Sequence, residues 1–179
     1  MFKIWVFGDS FSSNETTHSW IHLLKTYGKV VPRAHNGSSE YRIWKSYQQN
    51  KRFIKPNDIV IFCHTSSSRV YLKTGVASLT RRLLSHPVCD LIFGDVFAKK
   101  EQKFINILKT IWDDEYFEDT YNLLVTDLKR VPRSVHISFF DSGIYNSIWQ
   151  THPGKINHMD NTGNLLVLQQ IVREFPCEL

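Results

Sequence analysis

KPNDIVIFC, residues Lys55 to Cys63, decides the fold. Its first four residues have turn chemistry, and the five that follow are apolar without the alternation of a half-exposed strand. A run of that kind fits a strand covered on both faces, which is the signature of a central strand in a parallel sheet. On its N-terminal side, the apolar run Phe2 to Phe7 predicts another strand, and Trp20, Leu23, Leu24 and Tyr27 recur at the spacing of one helix face. KVV from Lys29 gives a short strand, followed by the loop PRAHNGSSE and a helix with Ile43, Trp44 and Tyr47 on its apolar face. Either Ser38 or Ser39 can cap that helix.

On the C-terminal side the pattern continues. Leu72 to Asp95 reads either as helix, through VASLTRRLLSH, or as strand or irregular insert, through CDLIFGD. Phe104, Leu108 and Ile111 predict one helix, and Phe117, Tyr121, Leu124 and Leu128 the next. SVHISFFDSG from Ser134 supplies a fourth strand, and a long loop from Asp141 to His158 leads to a closing helix. The face of that helix is read as Leu165, Leu168, Val172 and Phe175, with Asp160 or Asn161 as its cap. Strands alternating with helices predict a parallel sheet between two helix layers. With no repeat or linker, the 179 residues are read as a single domain, 1–179.

Composition bounds the function. At 42% hydrophobic residues the chain can fill a core and lacks the bias of disorder. No apolar stretch approaches the roughly 20 residues that span a bilayer, and the N-terminus lacks the three regions of a secretion signal. The expectation is therefore a cytoplasmic protein with no membrane partner. Cys63, Cys89 and Cys177 are odd in number and without CxxC spacing, so they read as free thiols rather than a disulfide framework or a thiolate metal site. A net charge of +5 is spread along the chain instead of blocked, which fits a solvated surface rather than nucleic-acid binding.

In a parallel α/β sheet, functional groups gather at the carboxyl ends of the strands. Gly8-Asp9-Ser10 ends the first strand there. A glycine allows a tight turn, and the serine is then presented at the sheet edge, a position suited to a nucleophile or to a plain capping turn. A serine nucleophile needs a base, and His158, in GKINHMDNTGN just before the last helix, stands where the fold can return it to that edge. His18 and His22 have the i, i+4 spacing of metal ligands but no third ligand beside them. Trp149, in the loop leading to His158, is a candidate pocket wall.

Taken in order, G-D-S-F-S after the first strand, N-G-S after the second, a polar loop after the third and a histidine ahead of the last helix resemble the SGNH, or GDSL-type, hydrolases. The resemblance covers the whole chain. It implies a flavodoxin-like three-layer α/β/α sandwich and hydrolysis of a small acyl ester, such as an O-acetyl group, through an acyl-enzyme. Carried over by motif, Ser10 is the nucleophile and His158 the base, while the oxyanion hole draws on the N–H groups of Ser10 and Gly37 and on Ser66. Asp9, Thr65 and Arg69 are read as candidate substrate contacts, Arg69 either clamping an anionic group or pairing with a surface acid. The substrate class is a small-molecule or glycan ester, with no cofactor and no metal.

Two positions depart from the family pattern. FCHTSSSR has Ser66 near the place of the usual asparagine donor, and Lys155 stands where the pattern has the aspartate that orients the histidine. His158 is then oriented by a backbone carbonyl or by another acid such as Asp141 or Asp160, although these also read as a turn residue and a helix cap. The rival reading is an SGNH-fold binding module for a glycan or anionic ligand, its catalysis impaired.

Overall fold

In the computed structural model, residues 2–12, 17–71, 91–92, 110, 113–154 and 158–175 are described. Four strands form a parallel sheet in the order β2-β1-β3-β6, comprising β1 (Lys3–Phe7), β2 (Lys29–Pro32), β3 (Ile59–His64) and β6 (Ser134–Ser138). The chain begins in the middle of the sheet, as in the doubly wound flavodoxin-like order. Strand β3 is central and all six of its residues are buried, as its unbroken apolar run requires. Pro32 ends the edge strand β2, where its missing N–H breaks no ladder.

Side-chain alternation then divides the core in two. Ile59, Ile61 and Cys63 join Ile4, Val6, Val135 and Ile137 on one face. There they pack against the helices α1 (Trp20–Leu23), α4 (Ile144–Thr151) and α5 (Asn161–Arg173). Val60 and Phe62 join Trp5 and Phe7 on the other, beneath α2 (Glu40–Asn50) and α3 (Asp114–Lys129). The result is the expected three-layer α/β/α sandwich. Burying an isoleucine or phenylalanine completely contributes roughly 2–3 kcal/mol, so these paired faces dominate the stability of the sheet.

Buried polar anchors set the positions of the elements. The Asp58 carboxylate accepts from Lys3 N (2.8 Å), Lys55 N (3.0 Å) and Trp5 Nε1 (3.0 Å), tying the KPND turn to β1. Although burial works against ionisation, these hydrogen bonds bring the carboxyl below its ordinary value. Ser39, rather than Ser38, caps α2 by accepting from Arg42 N. Asp160, rather than Asn161, caps α5 by accepting from Gly163 N at 2.7 Å. Trp20 N donates to Asn164 Oδ1 at 2.9 Å, joining α1 to α5, and Trp44 Nε1 donates to Asp127 Oδ2 at 2.7 Å, joining α2 to α3.

The structure also corrects several expectations. Helix α1 is one turn long and tightens into a 3-10 turn at Leu24–Thr26, leaving Tyr27 exposed. The buried face of α5 runs through Val167, Leu168 and Ile171 to Phe175, while Leu165 faces solvent. IYNSIWQT, read as loop, is helix α4, so Trp149 is helical. Most of Leu72 to Asp95, and the helix expected at Phe104, Leu108 and Ile111, lie outside the described residues. Within that span Leu91–Ile92 (β5) pairs antiparallel with Arg69–Val70 (β4). No helix among the described residues is long and apolar enough to cross a membrane.

Candidate active site at the carboxyl edge of the sheet

The chain leaves β1 through Gly8 into a 3-10 turn at Ser10–Ser12. Gly8 is required by space: a Cβ there would lie 2.1 Å from Ser12 Oγ and 2.7 Å from Cys63 Cβ. Cys63 is a free, fully buried thiol beneath the turn, and burial, with Asp9 nearby, pushes its ionisation well above the ordinary value. The turn is closed by Ser12 N donating to Asp9 O (3.1 Å) and by Phe11 N donating to Asp9 Oδ1 (3.0 Å). Trp20 Nε1 donates to Phe11 O at 2.8 Å, fixing the turn against α1. Ser10 itself is half-buried, at the site surface.

Asp9 and Arg69 do not stand free as substrate contacts. The Asp9 carboxylate is 0% exposed; its Oδ2 accepts from Arg69 Nη1 at 2.9 Å and from Thr65 Oγ1 at 3.4 Å. The same Arg69 nitrogen donates to Ser38 O at 3.1 Å, and the guanidinium lies over the Phe140 ring. Burial raises the Asp9 carboxyl above its ordinary range, with Arg69 as the chief opposing pull. Arg69 therefore clasps the exits of β1, β2 and β3 together. It pairs with a buried acid where the sequence reading had a surface acid or a ligand. Thr65 is likewise fully buried.

The exit loop of β2 is held beside this turn by His35 N donating to Gly8 O at 3.1 Å. It closes on itself through Ser38 N and Ser38 Oγ, both donating to His35 O. Gly37 is the third residue of that turn with φ 68°, a conformation that an L side chain enters at a cost of roughly 1–2 kcal/mol. Ser66 Oγ is engaged with Ser68 Oγ at 2.7 Å and accepts from Ser68 N, so its hydroxyl is already held within its own loop.

His158 reaches the same edge from the far end of the chain. Its ring stacks on Phe11, the neighbour of Ser10, at 5.5 Å between centroids and 13° between planes. Phe11 sits in an aromatic cradle of Phe139, Phe140 and Trp149. Among the described residues no hydrogen bond joins Ser10 to His158. No carboxylate stands behind His158 among them either: Asp160 caps α5 and faces His152 Nδ1 at 3.8 Å, and Asp141 lies in the turn after β6. Lys155 lies outside the described residues. His18 precedes α1, whose cap is Ser19, and so does not share a helix face with His22.

No protein-family model and no curated protein matches the chain. Among solved structures it is similar to a member of the lipolytic protein G-D-S-L family from Veillonella parvula DSM 2008. That match has 13% identity over 98% of both chains and a TM-score of 0.47. A second similar structure is the lipase/acylhydrolase from Enterococcus faecalis, 15% identical over 97% of this chain and 95% of that one, with a TM-score of 0.44.

One constellation at this edge was missed by the sequence reading. Glu40, at the start of α2, is 3% exposed and contacts His64 Nδ1 through Oε1 at 2.8 Å, while its Oε2 accepts from Thr65 N at 3.2 Å. His64 Nε2 in turn meets His136 Nδ1 at 2.9 Å. The signal in the sequence was slight: a histidine continuing an apolar strand, IVIFCH, and a glutamate just after a helix cap.

Proposed function

We propose that the chain is a serine hydrolase of SGNH type that cleaves a small acyl ester, such as an O-acetyl group, from a small-molecule or glycan alcohol. The observation that carries this reading is the stacking of His158 on Phe11, which brings an imidazole beside a glycine-enabled serine turn from the opposite end of the chain. Ser10 Oγ attacks the acyl carbon as His158 takes its proton. His158 then gives that proton to the departing alcohol, leaving an acyl-serine. Water, activated by the same imidazole, releases the carboxylic acid and restores Ser10. The backbone N–H groups of Ser10 and Gly37 are the donors assigned to the oxyanion, Ser66 being a third if its hydroxyl turns from Ser68; each such donor is worth on the order of 3 kcal/mol.

The test is labelling by a fluorophosphonate together with p-nitrophenyl acetate hydrolysis. Labelling is expected at Ser10 alone and lost in Ser10→Ala, and His158→Ala should slow turnover about a hundredfold or more. Unchanged hydrolysis in Ser10→Ala sinks the reading. The alternative, a binding module for a glycan or anionic ligand, is favoured by one observation, the absence among the described residues of a carboxylate behind His158. It predicts ligand-induced shifts in melting temperature without ester turnover.

A further inference from the structure

Four polar side chains that the chemistry above does not use form one line on the α2 face of the sheet. Glu40 Oε1 meets His64 Nδ1, His64 Nε2 meets His136 Nδ1, and His136 Nε2 meets Ser134 Oγ at 2.8 Å. The two rings are nearly coplanar in orientation, at 10° and 5.2 Å, with Phe62 stacked beside His136. Counting hydrogens gives the line a direction. Ser134 has one hydroxyl hydrogen and donates it to Val131 O at 2.7 Å, so its oxygen accepts from His136 Nε2–H. His136 is held neutral by burial, its ionisation lowered to about 3, so Nδ1 is an acceptor and takes the hydrogen of His64 Nε2. A single hydrogen then lies between His64 Nδ1 and Glu40 Oε1, whichever of the two carries it.

The far end of the line reaches the nucleophile turn. Glu40 Oε2 accepts from Thr65 N, Thr65 Oγ1 donates to Asp9 Oδ2, and Asp9 Oδ1 accepts from Phe11 N in the turn that carries Ser10. We infer that Glu40 is a positioning residue for Ser10: its carboxyl group, locked by a histidine pair whose polarity Ser134 sets, fixes Thr65 and, through Asp9, the backbone of the turn. The inference rests on the proposed role of Ser10 for its kinetic consequence, and not for the geometry of the line.

Two measurements test it. In protein labelled with ¹⁵N-histidine at neutral pH, His136 is expected as the Nε2–H tautomer with Nδ1 bare; finding the hydrogen on Nδ1 overturns the assigned direction. The second compares Glu40→Gln with Glu40→Ala in fluorophosphonate labelling. The glutamine amide can give a hydrogen to His64 Nδ1 and accept from Thr65 N, so its inactivation rate constant should stay within about threefold of the parent. The alanine variant should lose about tenfold or more in that constant, with inhibitor binding unchanged, because the nucleophile is misplaced rather than the pocket lost. Parental labelling in Glu40→Ala, or an equal loss in Glu40→Gln, overturns the inference. If the alanine variant does not fold, Thr65→Val, which removes only the hydroxyl link to Asp9, must show the same slowing, and a parental rate there overturns the inference. Should the parent protein itself resist labelling, the proposed function fails on its own. The amide resonance of Phe11, shifted in Glu40→Ala and retained in Glu40→Gln, then decides the positioning role, and an unmoved Phe11 overturns it.

Discussion

Gly8 governs the site more directly than any residue that could touch a substrate. With neighbouring atoms already 2.1 and 2.7 Å from where a Cβ would stand, Gly8→Ala must push apart the turn and β3. We expect a loss of about 1–3 kcal/mol, read as a lower urea midpoint at unchanged slope. That requirement was legible in the sequence, since a glycine directly after an apolar strand announces a close turn. The partners of Asp9 were not. A carboxylate beside a serine reads equally well as a substrate contact, and only the return of Arg69 and Thr65 from another strand shows that it holds three loop exits together. His158 is an intermediate case: its position before the last helix was readable, whereas its seat on Phe11 depends on how α4 and the following loop fold back.

The helices show where periodicity decides and where it cannot. The face of α2 followed directly from Ile43, Trp44 and Tyr47, which pack on the sheet as their spacing predicts. In α5 the four consecutive apolar residues Leu165 to Leu168 satisfy more than one helical stripe, and the sheet selects Val167 and Leu168 while leaving Leu165 in solvent. Helix α4 was hidden because Gly143 offers no side-chain cap, so no start signal marks it. For α5 the start signal was clear, and its role is testable. Asp160→Ala removes the acceptor for Gly163 N and should cost about 1 kcal/mol in chemical denaturation. A far larger fall in ester turnover than in stability would instead revive Asp160 as an orienting acid for His158.

At the level of the whole molecule, the buried polar line on the α2 face makes stability depend on acid. His136 has an ionisation lowered to about 3, by burial first and by His64 and Lys129 next, against an ordinary value of 6.5. Between those two values the unfolded chain takes up a proton that the folded chain refuses, so stability falls as pH drops from 6.5 toward 3. Melting temperatures between pH 6.5 and 5 should decline, and His136→Gln, which removes this ionisable group, should flatten the decline; an unchanged slope would count against it. The α/β order of strands and helices was readable from the chain because each local apolar pattern agrees with the sheet it builds. The polar line was not, because its members are joined by topology alone. The fold also contains its own clock. Cys63 is sealed under the Ser10 turn and the helices on that face, with its thiol strongly disfavoured from ionising, so an alkylating reagent can reach it only when that covering layer lifts from the sheet. The rate at which the Cys63 peptide gains mass in iodoacetamide should therefore report how often this face of the sheet is uncovered, and should quicken in Gly8→Ala.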